Sequence, residues 1–177
     1  MCNSMSLRKF IKQRETTKEV LRIKNRVSTN FEISFLVKSF DDQGPILLFE
    51  KVKDYEPDVV ANVCGARRRI RAALNVDQDG LYRRLTEAWR SPRKPRIVKD
   101  GTLEKVDQRI DLSKIPVLRH FERDAGRYIT SAAVYAKSIA GSAENVSVHR
   151  LQVLDKSRLA IRLVPRHLFK LWQMAKK

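Results

Sequence analysis

Cysteine is nearly absent: Cys2 and Cys64 are the only two in 177 residues. A disulfide framework is thereby excluded, and a reducing compartment is the expected setting. The two also lie too far apart for a zinc knuckle. No apolar run approaches the roughly 20 residues a bilayer-spanning helix needs. The stretch Met1 to Phe10 lacks the apolar middle of a secretory signal and reads as mature protein, so a soluble chain in the cytoplasm, with no membrane partner, is expected. Aromatic residues are few, at 7%, but 42% of the chain is hydrophobic. That is enough for a real core in one compact domain, or one and a half, and argues against wholesale disorder. Missing too are the GxxxxGK[ST] phosphate loop, the GxGxxG dinucleotide fingerprint and the HExxH zinc motif.

Acidic residues are also short: 20 Asp and Glu face 37 Lys and Arg, a formal net charge of +17. Nucleic acid is the first partner such a surplus suggests, since phosphate binding without sequence readout needs little more than a positive field. The densest stretch is Arg67-Arg68-Arg69-Ile70-Arg71, followed by Arg83-Arg84 and Ser91-Pro-Arg-Lys-Pro-Arg96. Its usual companions, a zinc-finger spacing or basic residues interleaved with stacking aromatics, are not there. Arg67, Arg68 and Arg71 share a helical pattern with Ile70 and Leu74, which fits a solvated helix face equally well. A different account of the charge is that an acidic counterpart resides in other polypeptide.

Along the chain, Leu7, Phe10 and Ile11 repeat at helical spacing behind Ser6, predicting a helix over residues 6–15. Residues 19–24 read as a short strand. Thr29-Asn-Phe-Glu32 reads as a capping box opening a helix that ends before Gly44-Pro45. Ile46 to Phe49 and Asp58 to Val63 read as strands, Gly65 as a turn into the arginine-rich helix, and Asp79 as the cap of a helix through Trp89. Ser91 to Arg96, with two prolines, is the linker candidate and sets an expected domain boundary between residues 95 and 96. Beyond it, Tyr128–Lys137, Val146–Leu154 and Arg158–Val164 read as strands, the last two joined by an Asp155-Lys-Ser157 hairpin loop. His167 to Lys176 closes as a helix with Leu168, Leu171 and Trp172 on one side. The fold class is α/β (α+β): an α/β part first, then mostly β.

Two groups of side chains could carry chemistry. His120, Glu122 and Asp124 could form an acid/base set, although a solvated charged loop accounts for them as well. The final hairpin is richer. Asn145, Ser147, His149, Arg150 and Arg162 recur on strands that otherwise look buried, and Arg166 and His167 follow. A buried guanidinium without a counter-charge is prohibitively costly, so each such arginine should face an anion or a carboxylate. The planar guanidinium suits phosphate or carboxylate. An Asn carbonyl suits Mg²⁺ or Mn²⁺, and imidazole is acceptable to Mn²⁺. The spacing alone fits an edge hairpin with its polar side in water equally well.

Several motifs, in order, carry a family resemblance: Ser6-Leu-Arg-Lys-Phe-Ile11, Gly44-Pro-Ile-Leu-Leu-Phe-Glu50 and Gly65-Ala-Arg-Arg-Arg69. Then come Asp111-Leu-Ser-Lys-Ile-Pro116, His120-Phe-Glu-Arg-Asp-Ala-Gly-Arg-Tyr-Ile-Thr130, Asn145 to Arg150, and Arg162 to Leu168. Together they resemble the UbiD-type decarboxylases, the reversible enzymes that use prenylated FMN. The resemblance implies an N-terminal α/β domain, 1–95, followed over 96–177 by the first part of an FMN-binding split β-barrel. It implies non-oxidative loss of CO₂ from an α,β-unsaturated or aromatic acid, with the modified flavin as electron sink. Asn145 and His167 would hold a divalent metal, Mn²⁺, with K⁺ as a further cation. Ser147, Val148, His149, Arg150, Arg162, Leu163, Val164, Arg166 and His167 would line the cofactor, and Arg150 would act catalytically at the substrate carboxylate. The hairpin looks most like that of the archaeal anhydromevalonate-phosphate decarboxylases of isoprenoid synthesis.

Complete family members are more than twice as long. The resemblance therefore implies a truncated or split member, inactive alone and completed by a second polypeptide, and a homo-oligomer in the complete enzymes. Ala125 stands where Gly is common in the family, a mild departure.

Overall fold

Ile46 to Phe49 is a run of four apolar residues with no polar alternation, the pattern of a strand covered on both faces. In the structure, a computed structural model that describes residues 6–40, 43–93 and 111–176, this run is the middle strand of a three-stranded sheet. β1 (Val20–Ile23) pairs parallel to β2 (Ile46–Phe49), and β3 (Val59–Ala61) pairs antiparallel on the other side of β2. The parallel pair is joined through α2 (Glu32–Ser39), as a parallel connection requires a crossover. Ile46, Leu47 and Phe49 are fully buried. Before β1 lies α1 (Leu7–Thr16), whose first turn is capped by the Ser6 hydroxyl accepting from the Lys9 amide. After β3 come α3 (Arg67–Leu74) and α4 (Gly80–Arg90). At the turn into α3, a Cβ on Gly65 would sit 1.7 Å from the Asn62 side-chain oxygen, so the Asn62 amide, which donates to the Pro45 carbonyl, would have to move.

One expected helix start is shifted, and at another the capping side chain differs. Phe31 takes a left-handed backbone, φ 66°, which prevents a helix from running through it. α2 therefore begins at Glu32, and that carboxylate accepts from the Ser28 amide, not from Thr29. Asp79 makes no side-chain cap for α4; Asp77 does, accepting from the Gly80 amide at 2.6 Å. The strands after residue 58 and after residue 158 are shorter than expected, at Val59–Ala61 and Leu159–Ile161.

A second sheet follows, in the order β4 (Arg127–Lys137), β5 (Glu144–Val153) and β6 (Leu159–Ile161), antiparallel throughout. Between Ile129 and Ala132 the register shifts by one extra residue on β4, a bulge that bends the strand. A small core of Leu112, Val117 and Val153, with Ile129 against it, backs one face. α5 (His167–Ala175) packs on β4 and β5, with Leu171 buried.

The contacts divide the chain into two units. One comprises residues 1–26, 36–52 and 58–109, and the other residues 27–35, 53–57 and 110–177. The expected boundary at 95/96, and half of the linker candidate, lie outside the described residues.

Four arginines of the first unit are held by internal partners. Glu19 accepts from Arg14 and from Arg68; burial alone would push its carboxyl up, but the two guanidiniums hold it below its ordinary value. Arg22 bridges Glu15 and Glu50. Arg69 is 1% exposed, and its guanidinium donates to the carbonyls of Val63, Gly44 and Asn62 at 2.9–3.0 Å. Desolvation lowers its pKa, with the neighbouring Arg68 adding to the effect. No carboxylate touches it among the described residues, so three carbonyl dipoles stabilise this cation. They tie the ends of β2 and β3 to α3. Of the expected solvated face of Arg67, Arg68 and Arg71, Arg68 is paired with Glu19, and Arg69, which is not one of those three, is structural.

Arg69→Ala would strand three carbonyls and leave a cavity, so we expect a loss of about 3–5 kcal/mol in urea unfolding. Arg69→Lys should recover only a fraction, since an ammonium cannot reach three acceptors in one plane. A change of under about 0.5 kcal/mol for the alanine variant, the range typical of surface sites, would refute the clip.

Candidate functional site on the second sheet

Side chains on a strand alternate between faces, so the polar residues of β5 cannot all converge. Asn145, Ser147 and His149 share one face and are half-buried, while Val146, Val148 and Arg150 point to the other and are exposed. The two faces carry different chemistry.

On the Arg150 face, Gln152 pairs with Tyr128 on β4 and with Ala160 on β6. Arg162 follows Ile161, the last paired residue of β6. Tyr128, Arg150, Gln152, Ala160, Ile161 and Arg162 line a concavity of about 390 Å³, a volume in the range of small-ligand sites. Like charges lining one concavity repel, yet among the described residues neither arginine has a carboxylate partner. The β4 bulge, at Thr130 and Ser131, lies opposite Arg150. Val146 and Val148, 71% and 74% exposed, extend this face with Tyr135 across from Val146. The arrangement suits a ligand with an apolar body and an anionic group: arginines for the anion, valines and tyrosine for the body.

On the opposite face the Asn145 amide nitrogen donates to the Ser147 hydroxyl at 2.9 Å, and Ser147 Oγ lies 2.9 Å from His149 Nε2. The Asn145 Oδ1 has no hydrogen-bond partner among the described residues, so it remains a free hard-oxygen donor.

The remaining candidates follow β6. Leu163 is half-buried; Val164, Arg166 and His167 are exposed. Arg166 occupies the cap position of α5 without making a side-chain cap, and His167 is the helix's first residue. No hydrogen bond or ion pair joins them to either face among the described residues. Among the described residues no three His, Cys, Asp or Glu side chains cluster as a metal site. Asn145 and one imidazole are two donors of the roughly six a Mn²⁺ shell takes, so further ligands have to come from elsewhere.

His120, Glu122 and Asp124 do not assemble into an acid/base set. His120 Nδ1 lies 3.2 Å from the Ser34 hydroxyl, the Asp124 carboxylate closes a turn by accepting from the Phe121 amide, and Glu122 is exposed. Arg119 donates to the carbonyls of Glu122 and Asp124, fixing this loop. Sequence reasoning missed Tyr128 and Gln152. Their signal was present in the two-residue spacing of Arg150 and Gln152, but the bulge hid which residue of β4 stands across.

Comparison with known proteins places the chain. Residues 11–89 match the 3-octaprenyl-4-hydroxybenzoate carboxy-lyase N-terminal domain, and residues 96–177 match the Rift-related domain of the same enzymes. The chain belongs to the UbiD family, a family of carboxy-lyases. Among similar proteins is the anhydromevalonate phosphate decarboxylase of Methanothermobacter thermautotrophicus, 32% identical over 160 residues, which cover 90% of this chain and 37% of that protein. The same enzyme of Methanosarcina mazei is 33% identical, over 97% of this chain and 39% of that one. The UbiD-class enzyme HmfF of Pelotomaculum thermopropionicum, solved in complex with FMN, superposes with a TM-score of 0.90 at 37% identity, over 97% of this chain and 39% of its own. An evolved dimeric form of HmfF was solved with prenylated FMN. The vanillic acid decarboxylase of Sedimentibacter hydroxybenzoicus, in its closed form, gives a TM-score of 0.84 at 26% identity. The chain spans under two fifths of the length of the two curated relatives. The α/β architecture expected from the sequence is that of these enzymes. Among the described residues no helix is long and apolar enough to cross a membrane.

The loop joining β5 and β6 offers a pH test. The Ser157 amide, followed by the Arg158 guanidinium and amide, holds the Asp155 carboxyl at about 2, below its ordinary 3.8. A depressed carboxyl contributes stability above its unfolded pKa and loses it as pH falls through the folded one. Asp155→Asn should therefore be less stable than the parent at neutral pH, with the gap closing between about pH 4 and 2. A constant gap across that window, measured by urea unfolding, would show that the charge plays no part. By contrast, Arg150→Ala and Arg162→Ala should change stability by no more than about 0.5 kcal/mol, or raise it at low salt, because each removes half of a repelling pair. A large loss would mean that the two are structural.

Proposed function

We propose that this chain is the cofactor-binding portion of a prenylated-FMN-dependent decarboxylase, with a domain boundary near residues 95 and 96. The observation that carries the reading is the Arg150–Arg162 pair: two exposed guanidiniums lining one concavity, without acids, beside an apolar strand face. Such a pair is stable to occupy and unfavourable to leave bare, so it selects an anionic ligand. Membership of a carboxy-lyase family supplies the class of reaction.

In this reading Arg162, with Arg166 following, orients the anionic end of the flavin, and Ser147, Val148, His149, Leu163 and Val164 belong to the cofactor-lining strands. Arg150 holds the substrate carboxylate, aligning the bond to be broken and excluding competing orientations. Asn145 and His167 contribute ligands to a divalent metal, Mn²⁺, with K⁺ alongside. When bound, the modified flavin supplies the electron sink for loss of CO₂. The substrate is a small α,β-unsaturated or aromatic acid. The archaeal relatives favour anhydromevalonate phosphate, whose phosphate would engage further cations, and so point to isoprenoid synthesis. Activity draws on the parts of the relatives' length that this chain does not match, within an oligomer in the cytoplasm. The basic nucleic-acid-binding alternative is weakened because the centre of its densest arginine run is used internally.

The test is flavin retention. Full chain incubated with FMN and Mn²⁺, then gel-filtered, should carry flavin absorbance that EDTA releases. Arg162→Ala should weaken FMN binding by about 10–100-fold, the scale of one charged hydrogen bond. With a completing polypeptide present, Arg150→Ala should abolish CO₂ release while retaining flavin. If wild type and Arg162→Ala retain flavin equally, or neither retains any, the reading fails.

A further inference from the structure

We propose that Ser147 is a positioning residue whose hydroxyl turns the amide oxygen of Asn145 toward a bound divalent cation. This inference rests on the reading of Asn145 as a metal ligand. Asn145, Ser147 and His149 stand at i, i+2 and i+4 on one face of β5, with spacings of 2.9 Å from Nδ2 to Oγ and 2.9 Å from Oγ to Nε2. Across β4 their register partners are Ala136, Val134 and Ala132. No side chain directly opposite can therefore donate to or accept from them, and the three have one another.

A serine hydroxyl has one proton and two lone pairs. When that proton is directed at His149 Nε2, only lone pairs face Asn145. The amide then presents its NH₂ to Ser147 and leaves Oδ1 free for a hard cation. For this, the imidazole carries its own proton on Nδ1. Reversing the ladder undoes the arrangement: a proton on Nε2 would be donated to Oγ, and the hydroxyl would be free to donate to Asn145. The amide oxygen would then be consumed inside the ladder. His149 thus sets the polarity, Ser147 transmits it, and Asn145 presents the result.

The test uses the full chain and Mn²⁺ itself, in the presence of FMN, followed by electron paramagnetic resonance of free Mn²⁺. Ser147→Ala should weaken Mn²⁺ binding by about 10–100-fold, the effect typical of outer-sphere partners of metal ligands, and Ser147→Thr, which keeps the hydroxyl, should restore most of it. A second readout needs no metal. In the metal-free chain, ¹⁵N resonances should show His149 protonated on Nδ1, and the Asn145 side-chain amide signals should move in Ser147→Ala and return in Ser147→Thr. Should Asn145→Ala abolish Mn²⁺ binding while Ser147→Ala stays within about twofold of wild type, the positioning role falls and the ligand reading stands. Unchanged Mn²⁺ binding in Asn145→Ala, or none in wild type, overturns the ligand reading and this inference with it. A His149 ring protonated on Nε2 overturns the proposed polarity.

Discussion

The antiparallel ladder between β4 and β5 is the constraint on which the candidate site depends. A strand offers its side chains to two faces in strict alternation, and the ladder decides which face meets the Leu112–Val117–Val153 core and which stays open. One extra residue on β4, between Ile129 and Ala132, resets that choice for everything beyond it. As a result Arg150 stands beside a bulge, and the Asn145–Ser147–His149 ladder shares a face with small or β-branched apolar neighbours. Shifting the register by a single residue would exchange the two sets.

Arginine performs two opposite tasks in this molecule. Arg69 is enclosed and satisfied by three carbonyl oxygens, so its charge stabilises local structure. Arg150 and Arg162 are exposed and, among the described residues, have no carboxylate partner. The difference lies in the acceptors each guanidinium meets. A planar fork surrounded by chain-end carbonyls becomes a clip; the same fork beside an apolar strand face becomes a receptor for anions. Net charge cannot distinguish these cases, which is why a surplus of +17 is weak evidence about partners when taken as a sum.

The second sheet carries exposed apolar residues, Val146, Val148 and Tyr135, on the face that holds Arg150. That face is where the proposed ligand would lay its apolar body. The chain corresponds to under two fifths of the length of enzymes it resembles.

Much was legible in the residues themselves. Ser6 announced α1, the unbroken Ile46–Phe49 run announced a covered strand, and the Asp155 loop announced the hairpin, because capping, burial and turn chemistry are local. The order of the motifs from Ser6 to Leu168 carried the family. What lay beyond reach was non-local. Thr29 looked like a cap until Phe31's left-handed backbone moved the helix start. Arg69 was one more cation of the densest basic run until carbonyls from two segments, Gly44 and Asn62–Val63, surrounded it. Asn145 and Arg150 looked like members of one cluster until strand alternation, anchored by pairing with β4, sent them to opposite faces. Composition and local pattern determine which elements form, whereas the partner across a ladder and the acceptor around a charge exist only after distant segments meet.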